Sequence, residues 1–216
     1  MRKIILFVFI FLLHYKASYA QQTDSTIVLR NGDLLFQHIT CGELCEAIEQ
    51  VTEGYKGYDF SHIGLVMIDH DSIFILEAIG SKVQKNTLSA FKKRSTAPLL
   101  VGRLKPAYAF MPDSVVAFAK AQLGIPYDDA FLYNNQKYYC SELLYDAFKH
   151  ANHNKPFFKL EPMTFKQPGK NTFFPAWITY YKELGILIPE GEPGINPGGI
   201  SRSEKLDMLG WISSLK

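Results

Sequence analysis

The chain has 216 residues, of which 47% are hydrophobic and 14% aromatic, and it carries 23 basic and 21 acidic side chains. This balanced charge gives no electrostatic reason to bind nucleic acid or an anionic membrane surface. A chain of about 200 residues can bury the core of one domain, so we expect a single domain over residues 21–216.

Residues 1–20 have the pattern of a signal peptide. A basic start is followed by an unbroken apolar run over residues 4–13 and by small side chains for cleavage at residues 18–20. The apolar run is shorter than the roughly 20 residues that span a bilayer, although an uncleaved N-terminal anchor is the alternative. We therefore expect export to the periplasm or the extracellular space, with no membrane span after cleavage.

Hydrophobic periodicity and turn signals predict strands and helices throughout the rest of the chain. The expected strands are residues 27–29 and 34–36 around an Asn31-Gly32 turn, 61–68, 73–79, the region of Val83, and 99–104. The expected helices are residues 42–51, 113–123 with Asp113 or Ser114 as cap and Gly124 as stop, one that opens at Cys140, and 176–184. Residues 189–200 are rich in proline and glycine and are expected to form a loop rather than a helix or a strand.

The three cysteines permit at most one disulfide within the chain, which leaves one thiol over. Cys41 and Cys45 lie near a predicted helix and are either core residues or a bonded pair. Cys140 opens an amphipathic helix whose apolar residues recur at helical spacing from Leu143 to Ala151. Unpaired N–H groups and the dipole at a helix N-terminus favour the thiolate, which is the nucleophilic form. A buried, inert cysteine is the alternative interpretation.

A reactive cysteine needs a base, and the second predicted hairpin supplies one. If its turn is centred on residues 69–72, the register places His62 and Glu77 on one face as diagonal neighbours, with Gly64 leaving the space between them open. Glu77 also interrupts an apolar strand, where a buried carboxylate requires a partner. We expect Glu77 to orient the His62 imidazole. The alternatives are a core or edge histidine and a solvent-facing glutamate.

Tyr127 follows a Gly-Ile-Pro turn ahead of Cys140. Its phenol is suited to donate to a developing oxyanion together with N–H groups at the helix start, although a tyrosine packed after a turn is the alternative. His150 and His153 have a spacing that suits a metal but also suits the C-terminal helix dipole. The sequence contains neither a phosphate-binding glycine loop nor a zinc-ligand spacing, so we expect no cofactor and no metal.

Taken in order, these motifs resemble the permuted papain-like hydrolases, the YiiX/YaeF-like branch of the NlpC-type superfamily. The matching segments are residues 31–36 (NGDLLF), 58–66 (YDFSHIGLV), 76–78 (LEA), 124–127 (GIPY), 139–142 (YCSE) and 188–192 (IPEGE). His62 precedes Cys140, which is the permuted order. The resemblance implies an α+β, papain-like domain whose antiparallel sheet packs against the helix of the nucleophile. It implies Cys140 as nucleophile, His62 as base and Glu77 as the third polar residue.

The resemblance also implies where a substrate binds. Tyr127 matches a tyrosine of the unpermuted relatives, and Tyr139 and Ser141 flank the nucleophile, so these three are the candidate oxyanion and substrate-binding residues. Ordinary relatives carry Asp before the cysteine and Gly after the serine, whereas here Tyr139 and Glu142 occupy those positions. A neutral phenol lacks the carboxylate that would hold a free ammonium group, so an N-blocked amide or an acyl ester fits better than a murein peptide with a free N-terminus.

We therefore expect an exported cysteine hydrolase that cleaves an amide bond through a thioester on Cys140. Its expected substrate is a small peptide, a peptidoglycan-derived molecule or a lipid amide. A lipid acyltransferase or thioesterase with the same residues is one alternative. An envelope binding module that has lost the chemistry is another, and the oligomeric state stays open.

Overall fold

The structure is a computed structural model that describes residues 27–214, so the expected signal peptide, residues 1–20, lies outside the described residues. The strands are β1 (Leu34–Gln37), β2 (His62–Asp69), β3 (Ser72–Ile79), β4 (Lys82–Thr87), β5 (Leu99–Leu104), β6 (Glu161–Pro162), β7 (Pro193–Gly194) and β8 (Leu206–Ile212). The α-helices are α1 (Glu43–Val51), α2 (Leu88–Lys93), α3 (Pro112–Ala121), α4 (Cys140–Ala151), α5 (Pro175–Leu184) and α6 (Pro197–Ser201). In this part of the chain, no helix has the length and apolar character needed to cross a membrane.

Six strands form one antiparallel sheet in the order β4-β3-β2-β1-β5-β8. One face packs against α3 and α4 through a large apolar cluster that includes Leu65, Leu143 and Phe148. The other face carries Val66 and is covered by Phe91 of α2. Full burial of one such side chain contributes about 1.5–3 kcal/mol. The arrangement confirms the predicted α+β fold, with an antiparallel sheet packed against the helix that begins with the cysteine.

Most predicted elements lie close to their expected limits. The helices expected at residues 42–51 and 176–184 are α1 and α5, and the hairpin expected at residues 61–79 is β2 and β3. The sequence patterns do not predict α2 or β8. Both are defined by their packing, because α2 covers one face of the sheet and β8 pairs with β5 at its edge.

The strand predicted over residues 27–29 is wrong, since these residues adopt no strand conformation. Instead, a side chain from β5 forms a hydrogen bond with the backbone of this segment. The Arg103 guanidinium donates to the Val28 carbonyl at 2.8 Å and to both carboxylate oxygens of Asp33 at 2.7 Å. Asp33 also accepts the Arg30 N–H at 2.7 Å. This ion pair, whose Asp33 carboxylate is buried, holds the segment before β1 in an irregular conformation.

The cap predicted at Asp113 or Ser114 is also wrong. Helix α3 begins at Pro112 without a side-chain cap and ends at Ala121. The Asp113 carboxylate accepts a hydrogen bond from Asn31 Nδ2 at 2.9 Å, so it ties the helix to the turn before β1. Capping preferences predict that the Asp113 carboxylate bonds to the helix N-terminus, but it bonds to Asn31 in another part of the fold instead.

The loop predicted over residues 189–200 is wrong as well. The segment contains β7, which pairs with β6, and α6, which begins at Pro197. Asn196 caps α6 by accepting the Gly199 N–H at 2.7 Å, and proline suits the first turn of a helix. The Asn-Pro pair thus starts a helix where composition alone indicated a loop.

Candidate active site

Cys140 is the first residue of α4, as its apolar spacing predicts, and its side chain is buried. Cys41 and Cys45 form a disulfide with a Cα–Cα distance of 5.3 Å, so Cys140 keeps its free thiol. At the start of a helix, the Cys140 N–H has no intrahelical acceptor and lies at the positive end of the dipole. The residue thus combines a free thiol with a backbone donor.

His62 and Glu77 meet as the hairpin register predicts. β2 and β3 pair Leu65 with Leu76 and Asp69 with Ser72, which is the register expected from a turn centred on residues 69–72. His62 Nε2 lies 2.6 Å from Glu77 Oε2. Both residues are buried, at 5% and 1% exposure, so this contact is shielded from water.

Glu77 has two further partners that sequence reasoning missed. Arg94, which follows α2, places Nη2 2.6 Å from Glu77 Oε2, and Asn86 of β4 donates from Nδ2 to Oε1 at 2.8 Å. Burial raises the pKa of Glu77, but His62, Arg94 and Asn86 more than offset it and hold that pKa below its usual value. Thr87, which caps α2 by accepting the Ala90 N–H at 3.1 Å, is the sequence signal that could have located this helix. The carboxylate is therefore ionised and held from three sides.

The His62 imidazole lies between Glu77 and Cys140. Because Nε2 contacts Glu77, Nδ1 is the ring nitrogen left for the thiol. Burial lowers the pKa of His62, but hydrogen bonds and charges from Cys140 and Glu77 outweigh it and raise the pKa to about 9. The Phe91 ring packs against the imidazole, with centroids 5.8 Å apart. The site therefore favours a protonated His62 imidazole next to the Cys140 side chain.

Tyr127 lies on the wall of the same cleft as Cys140. Its N–H donates to the Ser81 carbonyl at 2.9 Å, which anchors the Gly-Ile-Pro turn to the end of the β3–β4 hairpin. Burial, followed by the nearby charges of Cys140 and Tyr180, raises the pKa of Tyr127 well above its usual value. The hydroxyl therefore stays protonated and available as a donor.

Tyr139 and Ser141 flank Cys140 and hold one residue of the opposite cleft wall between them. The Tyr139 hydroxyl accepts the Ile195 N–H at 3.2 Å, and the Ser141 hydroxyl donates to the Ile195 carbonyl at 2.8 Å. Both side chains are nearly fully buried, at 3% and 1% exposure. Their hydroxyls fix the segment before α6 against the N-terminus of α4.

Glu142 is a buried carboxylate in the first turn of α4. It accepts the Asn134 N–H at 3.0 Å and so connects the loop before α4 to the helix. Burial raises its pKa to about 8, although the hydrogen bonds from Asn134 and Tyr139 act in the opposite direction. Glu142 thereby holds the loop before α4 against the helix that begins with Cys140.

A cleft of about 300 Å³ opens beside Cys140. Helix α1, the loop that carries Phe131, and α5 contribute most of its apolar wall, which is formed by Ile48, Val51, Phe131, Met163, Phe165 and Trp177. Within residues 27–214, no group of three or more His, Cys, Asp or Glu side chains is arranged to hold a metal ion.

Comparison with known proteins identifies the family. The family model described as "Permuted papain-like amidase enzyme, YaeF/YiiX, C92 family" matches residues 28–210. The chain belongs to this family. Membership confirms the resemblance drawn from the motifs and the permuted papain-like fold, and the family is described as one of amidases. It favours the hydrolase over the binding module among the alternatives left by the sequence.

Two relatives of the C92-family chain come from Escherichia coli. The uncharacterized protein YiiX of strain K12 is 26% identical over 123 residues, which cover 56% of this chain and 58% of that protein. The match thus spans little more than half of that relative's length. The crystal structure of the metalloprotein YiiX from strain O157:H7 superposes with a TM-score of 0.67 over 85% of this chain and 98% of that one, at 23% identity. This second likeness establishes the fold alone.

Proposed function

We propose that this C92-family protein is an exported cysteine amidase that hydrolyses an amide bond through a thioester on Cys140. The observation that carries the proposal is the 2.6 Å contact between His62 Nε2 and Glu77 Oε2, made by an imidazole that also interacts with the Cys140 thiol. A nucleophile, a base and an orienting carboxylate in this arrangement are the parts that acyl transfer requires.

Acylation starts from the thiolate of Cys140 and the imidazolium of His62. Sγ attacks the carbonyl carbon of the amide, and the C=O electrons move onto the oxygen as an oxyanion. When the C–N bond breaks, the imidazolium gives its proton to the leaving amine. The products of this half-reaction are a thioester on Cys140, a neutral His62 and a free amine.

Deacylation uses the same imidazole as a base. Neutral His62 takes a proton from water, the water oxygen attacks the thioester carbonyl, and the C–S bond breaks with Sγ leaving as thiolate. A carboxylic acid is released and the ion pair is restored. Glu77 stays ionised throughout, because Arg94 and Asn86 also stabilise its charge, and it stabilises each imidazolium that forms.

The oxyanion has two donors in this proposal. One is the Cys140 N–H at the start of α4, and the other is the Tyr127 hydroxyl on the cleft wall. Loss of one such donor typically lowers kcat by about 10²–10³-fold. Tyr127→Phe removes the hydroxyl and keeps the ring, so it isolates this contribution from packing.

Two observations support export. The Cys41–Cys45 disulfide is of a kind that persists in oxidising compartments and is rare in the cytosol. The basic and apolar pattern of residues 1–20 agrees with it. N-terminal sequencing of protein from the periplasm or the medium should begin at Gln21. A cytosolic protein that retains Met1 would contradict export.

A second candidate is acyl transfer or thioester hydrolysis on a lipid, favoured by the apolar cleft wall beside Cys140. Both candidates pass through the same acyl-enzyme and differ in what attacks it. Water gives hydrolysis, whereas an added amine or alcohol gives transfer. The ratio of free acid to transferred product therefore separates them.

Mass spectrometry of Cys140 tests the proposal directly. The protein is incubated with envelope extracts and with amide pairs that differ only in N-terminal blocking. An added acyl mass should appear on the Cys140 peptide and should disappear as the free acid accumulates. The fraction of peptide that carries the acyl group should be higher with the blocked amides than with the unblocked ones. Cys140→Ala is the blank. An active protein that acquires no acyl mass on Cys140, or equal turnover by Cys140→Ala, would overturn the amidase proposal.

A further inference from the structure

A second groove of about 610 Å³ adjoins the cleft of Cys140. The two cavities share one wall, formed by Gly194, Ile195, Asn196 and Gly199 together with Glu161 and Arg202. This is the wall that Tyr139 and Ser141 hold in place through Ile195. One extended molecule that lies across the shared wall would therefore occupy both cavities at once.

The two cavities differ in chemistry. The cleft beside the thiol has a mainly aliphatic and aromatic wall, whereas the groove adds Lys159 and Lys205 to the Glu161 and Arg202 that both cavities share. Phe157 and Phe158 form its floor and pack on each other with centroids 5.1 Å apart. The groove is thus a cationic cavity with an aromatic base.

The cationic side chains of the groove form weak ion pairs, and an anionic ligand can replace the carboxylates in them. Lys159 pairs with Glu161 at 2.6 Å and Arg202 pairs with Glu53 at 3.3 Å, but all four side chains are more than half exposed. Exposed ion pairs of this kind contribute little to stability. Lys205 has no carboxylate partner among the described residues. Its ammonium donates to the Phe157 carbonyl and lies 4.4 Å from the centre of that ring.

We propose that the substrate has two parts, an apolar acyl group that fills the cleft and an amine part whose carboxylate or phosphate binds in the cationic groove. This inference rests on the proposed amidase function and names the substrate class of the same site. The amide that joins the two parts then lies at Cys140. Hydrolysis consumes one water and yields a fatty or aromatic carboxylic acid and an amine that carries the anion.

The test compares three substrates with one acyl group. These are N-octanoyl-glycine, its neutral glycinamide analogue and N-octanoyl-phosphoethanolamine. We expect kcat/KM for at least one anionic substrate to exceed that for the glycinamide by about five- to tenfold, since exposed charge contacts each contribute modestly. The anionic substrate with the higher kcat/KM shows whether the groove prefers a carboxylate or a phosphate.

Charge-removing variants assign that preference to the groove. Lys159→Gln and Arg202→Gln together should reduce the anionic-to-neutral ratio of kcat/KM toward one. Lys120→Gln on the exposed side of α3 is the matched control and should keep the wild-type ratio. Lys205→Met is a third variant, and its melting temperature is measured because Lys205 also contacts Phe157.

The outcomes are distinct for the two proposals. A ratio near one in the wild type, or a ratio that the double variant does not reduce, overturns the bipartite substrate. Hydrolysis of the glycinamide that requires Cys140 leaves the amidase proposal standing in that case. Hydrolysis by Cys140→Ala at the wild-type rate overturns the amidase proposal itself.

Discussion

Arg94 should set the pH at which the acyl-enzyme is hydrolysed. Its Nη2 and the His62 Nε2 both contact Glu77 Oε2, so the guanidinium and the imidazolium are close neighbours of like charge. Arg94→Met removes one positive charge and keeps an unbranched side chain of similar length. His62 then keeps a proton more readily, whereas deacylation requires it neutral.

The size of the effect follows from the geometry. Each nitrogen lies 2.6 Å from the shared oxygen, so the two are at most about 5 Å apart, and unit charges at that distance repel by about 3 kcal/mol at an effective dielectric constant near 20. Arg94 is 28% exposed, so solvent screening reduces this by about half. The remainder corresponds to about one pH unit. We expect the acid limb of the pH profile of kcat to move to higher pH by that amount in Arg94→Met.

Steady-state hydrolysis from pH 5 to pH 10 measures this limb, and pre-steady-state release of amine confirms that deacylation limits the rate. Arg94→Lys is the control, because it keeps the charge and loses the planar two-oxygen contact. Its limb should stay near that of the wild type even if kcat falls. A limb that does not move in Arg94→Met, or that moves to lower pH, would refute the electrostatic reasoning.

Three further predictions concern the same site. Glu77→Gln should slow turnover less than His62→Ala, because the orienting group is less essential than the base; equal losses in the two variants, measured as kcat, would argue against these roles. Folding raises the pKa of His62 from 6.5 to about 9 and that of Glu142 from 4.5 to about 8. The native state therefore binds more protons than the unfolded state in these ranges. The free energy of unfolding should fall as the pH rises from 6.5 to 9. Glu142→Gln should remove on the order of 2 kcal/mol of that pH dependence, seen as a flatter plot of melting temperature against pH, and an unchanged slope would contradict it. Ser141→Ala leaves the buried Ile195 carbonyl without its 2.8 Å partner and should cost about 1–3 kcal/mol in chemical denaturation, with a rise in KM as the cleft wall loosens; a variant with wild-type stability would show that the contact is dispensable.

The hairpin is the part of the site that sequence predicts best. Its register depends on a local turn and on an alternation of side chains, and both are visible in the residues between His62 and Glu77. The placement of Cys140 is equally local, because helical spacing alone puts it in the first turn of α4. These two local patterns, together with the other matching segments and the permuted order, indicate the family.

The partners of Glu77 lie beyond such reasoning. Arg94 reaches it from the position just after α2, a helix of six residues, and Asn86 reaches it from the next strand of the sheet. Their roles depend on how the sheet and α2 pack, which no local pattern encodes. The same is true of Tyr139, which flanks the nucleophile in sequence but uses its hydroxyl to hold Ile195.

Cys41 and Cys45 are near neighbours in sequence, so their bond can form before the later half of the domain has emerged. A chain exported N-terminus first presents these two thiols to an oxidising compartment ahead of Cys140. Once they have paired, the chain offers the third cysteine no partner, because it has only three. If the chain is exported as proposed, the short bridge therefore leaves Cys140 without a partner for mispairing within the chain in a compartment that oxidises thiols.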